Sequence, residues 1–385
     1  MNLKWPKGLD SQKFLKQYWQ KKPLLIRKAF TKLPDIEASE IAGLACEDDI
    51  ESRVISENSM TNDWHIQHGA FDEHFFSSLP DSHWTLLVQD VDKFVPEAKQ
   101  LVNVFNFIPS WRVDDLMVSY AVDQGSVGPH TDSYDVFLVQ LQGKRLWKIS
   151  DATYTDDDLL ADSDVRVLKE FSVSEEWVLE PGDMLYLPPN VAHFGIAQGE
   201  CMTGSIGFIS PTQNDMFQSW ATELTQYNCK NSNYQDPEIS LQNSPAEILP
   251  SVIEKVREML LQNIDTSSAT LASWFGKMIT EPKDNLYIQS EDECLIDDDI
   301  LELIQKTPLS RHPFLKPVYF CNEDNTVSLF VQGEEFVVAN ENRNFIEYLC
   351  QQNSYEANEL SVFLNNSQCH ELITEFIRRN FIMTG

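Results

Sequence analysis

The chain has 385 residues, enough for two or three domains, and 42% of them are hydrophobic, enough for real cores. Its 60 acidic residues against 29 basic ones leave a net charge of −31, which argues against broad electrostatic binding to nucleic acid and favours a cationic partner. No run of about 18 apolar residues marks a membrane span, the start MNLKWPKGLDSQKF has no apolar leader, and the cysteines at 46, 201, 229, 294, 321, 350 and 369 form no CxxC pair. The expectation is a cytoplasmic protein with reduced thiols, without disulfides or a zinc site.

Asp10 to Gln20 reads as a capped amphipathic helix with Phe14, Leu15, Tyr18 and Trp19 on one side. Pro23-Leu24-Leu25-Ile26 follows as a buried strand, and residues 35–47 as a second short helix. From about 52 to 122, strands alternate with helical pieces, including Glu97 to Phe105. A strand-rich core runs from about 115 to 210. It is interrupted by Asp151–Asp164, a stretch with six aspartates that reads as a solvated insertion. After Pro211 the pattern turns helical, over Thr212–Asn228, Pro245–Asn263 and Ala269–Ile279. Ile253, Val256, Met259 and Leu260 make an apolar stripe there, which must pack on the strand core or on another subunit. Glu281–Asp299 reads as an acidic linker. Residues from about 300 give a helix, a hairpin (Val327-Ser328-Leu329-Phe330, then Phe336-Val337-Val338) and three short helices, the order of a winged-helix-like module. With 19 acidic and 7 basic residues from 281 to 385, that module does not suit DNA, despite Arg378 and Arg379. The domains expected are 1–210, 211–280 and 281–385.

The chemistry is concentrated in two segments, GSVGPHTDSYDVFLVQ and LEPGDMLYLPPNVAHFG. Residues two apart on extended chain share a face, so His130 and Asp132 can meet one metal, and His193 can complete the set from another strand. Two histidines and one carboxylate with open positions opposite suit a non-haem Fe(II) that binds a cosubstrate and dioxygen. Each segment is a turn followed by a buried strand. Gly125, Gly128 and Pro129 precede one, and Pro181-Gly182-Asp183 precedes the other, with Pro188-Pro189 closing it. Two such units with metal-type residues at the open end are the signature of a double-stranded β-helix, a cupin-like jelly-roll barrel. The fold class expected is therefore α+β: this barrel with N-terminal helices, then a helical segment, then the winged-helix-like domain.

At WQKKPLLIRKAF, WRVDDLMVSYAV, GPHTDSYDVFLVQLQGKRLWKI and LEPGDMLYLPPNVAHFG the chain resembles the JmjC-type 2-oxoglutarate oxygenases, and within them the bacterial ribosomal oxygenases. That resemblance implies an Fe(II)- and 2-oxoglutarate-dependent dioxygenase. It would add oxygen at Cβ of an arginine in a large-subunit ribosomal protein and release succinate and CO2. It also implies dimerisation through the 211–280 helices. By position in the GKRLWKI match, Arg145 takes the distal carboxylate of 2-oxoglutarate, for which a bidentate guanidinium is the best geometric partner; Lys144 is the alternative. Ser119 matches a serine that hydrogen-bonds the same cosubstrate, and Ser205 is a further candidate on the strand after His193. Tyr134 and Tyr186 are candidates to line the pocket. Asp114, Asp115 and Asp135 are candidates to hold a substrate guanidinium. The turn Asp123-Gln124-Gly125-Ser126 is poorer in glycine than the resemblance leads one to expect. The alternatives are a lysine demethylase or small-molecule hydroxylase on the same barrel, and a non-enzymatic cupin-like assembly module. The complete triad with Arg145 argues against the last.

Overall fold

A computed structural model describes residues 1–58, 63–161, 163–228, 233–262, 264–289 and 297–384. Contacts divide the chain into two units, Met1–Ser210 and Pro211–Gly385. In the first, the helices are α1 (Ser11–Gln17), α2 (Ala38–Leu44), α3 (Glu73–Ser78), α4 (Val91–Phe94) and α5 (Pro96–Val102). The strands are β1 (Leu24–Ile26), β2 (Ser52–Asn58), β3 (Asp63–His68), β4 (Trp84–Val88), β5 (Val113–Ala121), β6 (Asp135–Gln142), β7 (Arg145–Ser150), β8 (Glu175–Leu179), β9 (Met184–Leu187), β10 (Ala192–Ala197) and β11 (Cys201–Phe208).

Strand β6 shows why the layers stack as they do. Its run VFLVQL, apolar but for the buried Gln140, is what a strand buried on both faces requires. Phe137, Val139 and Leu141 turn to a large core that also holds Phe14, Leu116, Val118, Tyr186 and Phe208. Val136 and Leu138 turn the other way, onto Trp147 and Ile149 of β7 and Leu179 of β8. Two sheets result. One has eight strands in the order β1-β9-β6-β11-β5-β4-β2-β3, and the other has three in the order β10-β7-β8. The expected barrel is thus realised as two sheets packed face to face. Among the described residues, no pairing between named strands closes them into a ring. Alternation in a sequence reveals which face of a strand is buried, but not whether the edges of two sheets meet. The sheets are joined at one end by an isolated antiparallel bridge between His130 and His193.

The aspartate-rich segment Asp151–Asp164 is solvated as expected, with none of its described residues buried, yet its backbone is held in place. Thr155 and Asp158 cap a short 3-10 turn over Asp156–Asp158, and Leu160 N–H donates to the Val167 carbonyl at 2.8 Å. Leu168 N–H donates to Pro129 O, also at 2.8 Å, which fastens the segment to the turn ahead of His130. Val167 is buried with Ile55, Trp64 and Leu87. The buried Val167 and Leu168, just beyond the stretch, anchor its end to the protein.

The second unit carries α6 (Gln213–Glu223), α7 (Pro250–Leu261), α8 (Ser268–Thr280), α9 (Asp297–Lys306), α10 (Arg343–Gln351), α11 (Ala357–Phe363) and α12 (Ser367–Arg378). Its strands are β12 (Leu309–Arg311), β13 (Val318–Cys321), β14 (Thr326–Val331), β15 (Glu334–Ala339), β16 (Ser354–Tyr355) and β17 (Ile382–Thr384). The β14–β15 hairpin closes through Gln332 and Gly333, both at positive φ, as a two-residue hairpin turn demands. Val327, Leu329, Phe345, Ile373 and Phe376 form this unit's core. Arg379 is forked between Glu334 and Glu375, so its charge is spent inside the protein. The acidic linker read at Glu281–Asp299 lies outside the described residues over 290–296. No described helix is long and apolar enough to cross a membrane.

Gly128 sits at φ +80, and a Cβ there would come within 2.6 Å of a Val167 methyl. Gly128→Ala should therefore strain the turn and push the 155–169 segment off it. An overpacking cost of about 1–3 kcal/mol is expected, read as a lower urea midpoint against the unchanged protein.

Candidate active site

The turn Gly128-Pro129 delivers His130 to the bridge with His193 on β10. The two residues exchange backbone hydrogen bonds, His130 N to His193 O at 3.0 Å and His193 N to His130 O at 2.9 Å. Each imidazole Nδ1 lies 3.0 Å from a backbone carbonyl, Gly128 O for His130 and Val191 O for His193. A carbonyl only accepts, so each Nδ1 carries the proton and each Nε2 presents its lone pair. Asp132 faces both. Its Oδ1 is 3.8 Å from His130 Nε2 and its Oδ2 3.6 Å from His193 Nε2. These separations are too long for hydrogen bonds, yet one ligand atom from each residue lies within 4.8 Å of the others. Three donors converging without bonding one another fit a divalent cation, and the donor set is the one that favours iron(II). Asn190, at φ +64 after Pro188-Pro189, donates its N–H to the Asp132 carbonyl at 2.7 Å and fixes that end of the turn. Burial and the neighbouring His130 push the His193 imidazole down to about 4, so it stays a neutral ligand throughout the physiological range.

The triad opens on a cavity of about 370 Å3. Arg145 stands in its wall. Gly143, at φ +64, makes the β6–β7 turn, because a Cβ there would collide with the Glu200 carbonyl. Alternation along β7 then points Arg145, Trp147 and Ile149 inward. Lys144 faces solvent and pairs with Glu180 at 2.7 Å, outside the cavity lining. Arg145 is 2% exposed. It donates to Ser119 Oγ at 3.2 Å and to Gly195 O at 3.4 Å, over the Trp147 ring, but its Nε has no partner. No carboxylate lies within ion-pair distance among the described residues. A guanidinium buried without an anion is a costly arrangement, and burial pushes its pKa down. The site therefore calls for an anionic ligand, and a dicarboxylate oxoacid reaching from the triad to Arg145 meets that need. Gly195 keeps the space open. A Cβ on it would lie 2.8 Å from Arg145 Nε and 2.7 Å from the Trp147 ring. Ser119 donates to Thr203 O at 3.3 Å while accepting from Arg145, so in this structure it orients the guanidinium. Ser205 lines the same cavity.

The candidates for substrate contact separate. Tyr134 lines the cavity. Burial, then the carboxylates of Asp132, Asp115 and Asp114, push its phenol pKa up, so it remains protonated. Asp115 accepts from Asp90 N–H at 2.8 Å. Asp135 does not belong with them. It is fully buried and takes hydrogen bonds from Tyr186 Oη at 2.6 Å, Gln20 Nε2 at 3.0 Å and Arg112 Nη2 at 3.1 Å. Its charge is matched inside the fold, where it ties the strand start to Arg112 and the N-terminal segment. Tyr186 is likewise a core residue and lines no part of the cavity. Its side-chain position follows from its place on β9, which turns it toward Phe14 and Phe137.

Several lining residues were not foreseen. Ile55 and Ile66 from β2 and β3, Leu87 from β4, and Arg53 form one wall; Asp164, Val165 and Arg166 form part of another. The strand alternation of Ile55 and Leu87 was visible, but their meeting the metal end depends on β2 and β4 extending the sheet beyond β5. For Asp164–Arg166 no sequence signal existed.

Residues 100–216 match the JmjC domain model, and residues 260–383 match the ROXA-like winged helix. The chain is 32% identical to the ribosomal protein uL16 3-hydroxylase of Escherichia coli K12, over 80% of this chain and 79% of that protein. It belongs to the ribosomal oxygenase family. A probable ribosomal oxygenase of Haemophilus influenzae is 30% identical over 86% of this chain and 82% of its own length. Among solved structures, that of the E. coli ribosomal oxygenase YcfD in complex with cobalt and 2-oxoglutarate has a TM-score of 0.83. It shares 28% identity and covers all of this chain and 99% of its own. Another X-ray structure of E. coli ycfD reaches a TM-score of 0.87, with both chains fully covered.

If Arg145 carries the distal carboxylate, Arg145→Ala leaves that charge unpaired in a buried site, at a cost of about 2–5 kcal/mol. The 2-oxoglutarate requirement should rise roughly tenfold to several thousandfold, while a Lys144→Ala titration stays unchanged. The reverse pattern would move the role to Lys144.

Proposed function

We propose that this ribosomal oxygenase is an Fe(II)- and 2-oxoglutarate-dependent hydroxylase that adds oxygen at Cβ of an arginine in a basic protein of the large ribosomal subunit. The observation that carries this reading is the buried, anion-seeking Arg145 in a cavity that also holds the His130, Asp132 and His193 donors. Iron(II) with the oxoacid and dioxygen supplies oxidative decarboxylation, with one oxygen entering a C–H bond and the other entering succinate. The chain's own residues do the rest. His130, Asp132 and His193 would hold the metal. Arg145, steadied by Ser119 and Trp147, sets the orientation of the oxoacid, with Ser205 beside it. Ile55, Leu87, Met117, Val136 and Leu138 keep water away from the reacting centre.

A long side chain is hydroxylated at Cβ only if both its ends are held. Asp115 and Asp114, near Tyr134, are suited to hold the guanidinium, and the chain's −31 charge favours encounter with a cationic ribosomal protein in the cytoplasm over contact with nucleic acid. Purified protein supplied with iron(II) and 2-oxoglutarate should leave the arginine-bearing ribosomal protein one oxygen heavier by mass spectrometry. Asp132→Ala should give no product with an unchanged fold. A peptide with lysine at the target should be a poor substrate, since an ammonium lacks the planar fork. Removal of methyl groups from lysine peptides, with no arginine oxidised, would assign the demethylase reading instead.

The 211–280 segment is proposed to form a homodimer. On α7, Ile253 is 50% and Leu260 67% exposed, Val256 is also exposed, Met259 is half-buried, and the helix buries no residue within the chain. An apolar stripe left open on an amphipathic helix is suited to a second copy. Charges at Ile253 and Leu260 should convert the protein to monomers in sedimentation. A wild-type monomer at micromolar concentration would refute the dimer.

A further inference from the structure

The net charge of −31 hides one local reversal. Residues 1–32 carry eight lysines and Arg27 against the single acid Asp10, a local charge of +8. The rest of the chain holds 59 acidic and 20 basic residues, and acids return at Asp35 and Glu37. All nine cationic residues of the segment are exposed. Most of them lack a counterion. Arg27 is paired with Asp183, and Lys13 Nζ lies 3.6 Å from Asp10. The side chains of Lys4, Lys7, Lys16, Lys28 and Lys32 make no hydrogen bond or ion pair among the described residues.

The fold gathers the other charges of this segment along α1. Lys13 and Lys16, three apart, share one side of that helix. Lys13 Nζ donates to Gly8 O at 2.7 Å, beside Lys7, and Lys21 Nζ turns back onto Lys16 O at 2.9 Å. Lys22 Nζ stands 4.7 Å from the centre of the Tyr18 ring. The ridge is held in place from below, because Phe14 is fully buried and Tyr18 and Trp19 pack against the same core.

We propose that this α1 ridge is a docking surface for the phosphate backbone of RNA. Lysines are flexible point charges that suit phosphates and read no sequence. A membrane is the poorer partner, since a surface helix enters a bilayer by its apolar face and that of α1 is already in the core. The acidic remainder of the chain repels polyanions, so contact is confined to this face and the protein meets RNA in one orientation. Repulsion from remote acids is screened within about 8–10 Å at physiological ionic strength, whereas the lysines act at contact. The choice of RNA over DNA rests on the proposed ribosomal substrate, a protein whose surroundings are RNA.

The test compares the unchanged protein with two triple variants of equal net charge. One carries Lys7→Gln, Lys16→Gln and Lys22→Gln, which leave the backbone hydrogen bonds of Lys13 and Lys21 in place. The other carries Lys148→Gln, Lys255→Gln and Lys306→Gln. Binding to a fluorescein-labelled RNA duplex of mixed sequence is read by anisotropy across a salt series. A DNA duplex of the same sequence and phosphatidylserine vesicles are parallel probes, and sedimentation reports self-association. The unchanged protein should bind the RNA with a Kd of about 10⁻⁴–10⁻⁶ M, as contact by charge alone gives. The ridge variant should bind about tenfold or more weakly, and its salt slope should fall by about one for each lysine removed. The second variant should bind as the unchanged protein does. Hydroxylation of an arginine peptide and the melting temperature should be the same in the ridge variant as in the unchanged protein. No RNA binding, equal loss in both variants, or tighter binding to DNA or to the vesicles would overturn the assignment. So would self-association that the ridge variant abolishes while RNA binding persists. RNA binding that follows the expected pattern while no arginine is hydroxylated would support the ridge and count against the substrate reading alone.

Discussion

Two backbone hydrogen bonds between His130 and His193 hold this site together. They tie β10 of the three-stranded sheet to the turn that leads into β6 of the eight-stranded one, and they fall on the two residues whose imidazoles face a common point. A metal centre built from side chains of separate strands needs its spacing fixed before the cation arrives. Here the backbone supplies that spacing. The carbonyls of Gly128 and Val191 then fix both tautomers, and Asn190 pins the Asp132 carbonyl. The aspartate-rich segment reinforces the same turn through Leu168 and Pro129. Damage anywhere along this chain of contacts is transmitted to the donors, since packed interiors adjust little.

The second organising element is a contrast between two buried charges. Asp135 is met by Arg112, Tyr186 and Gln20, so its ion pair is complete within the fold. Arg145 is met only by neutral groups, and one of its nitrogens by none. Burial alone does not make a functional group, because both residues are buried. What separates the structural charge from the ligand-binding one is whether the protein provides its counterion.

That contrast also marks how far the sequence could be read. His130, Asp132 and His193 were legible because turn glycines and prolines flank alternating strands. The inward direction of Arg145 was legible because β7 alternates after Gly143. The presence of α1, α7, α8 and the β14–β15 hairpin followed from the sequence pattern, although α7 starts at Pro250 and not at Pro245 as read. Asp135 was misread as a substrate contact, because its partners Gln20 and Arg112 come from other parts of the chain. That the two sheets stay open at their edges, and that Val167 and Leu168 dock after the aspartate-rich stretch, could not be read for a similar reason, since edges and docking are long-range facts.

The tie between the N-terminal segment and the core also has a bearing on synthesis. Strand β1 pairs with β9 through Leu24 opposite Tyr186, and Gln20 N–H donates to the Tyr186 hydroxyl. Strand β1 therefore has no partner until about 160 further residues have been made. Contacts so distant in sequence slow folding and leave apolar surface waiting. During that interval Phe14, Trp19, Leu24 and Ile26 are uncovered on a nascent chain. Apolar side chains of α1 and β1 must therefore wait for β9 before they are covered, a delay that the two-sheet topology imposes on synthesis.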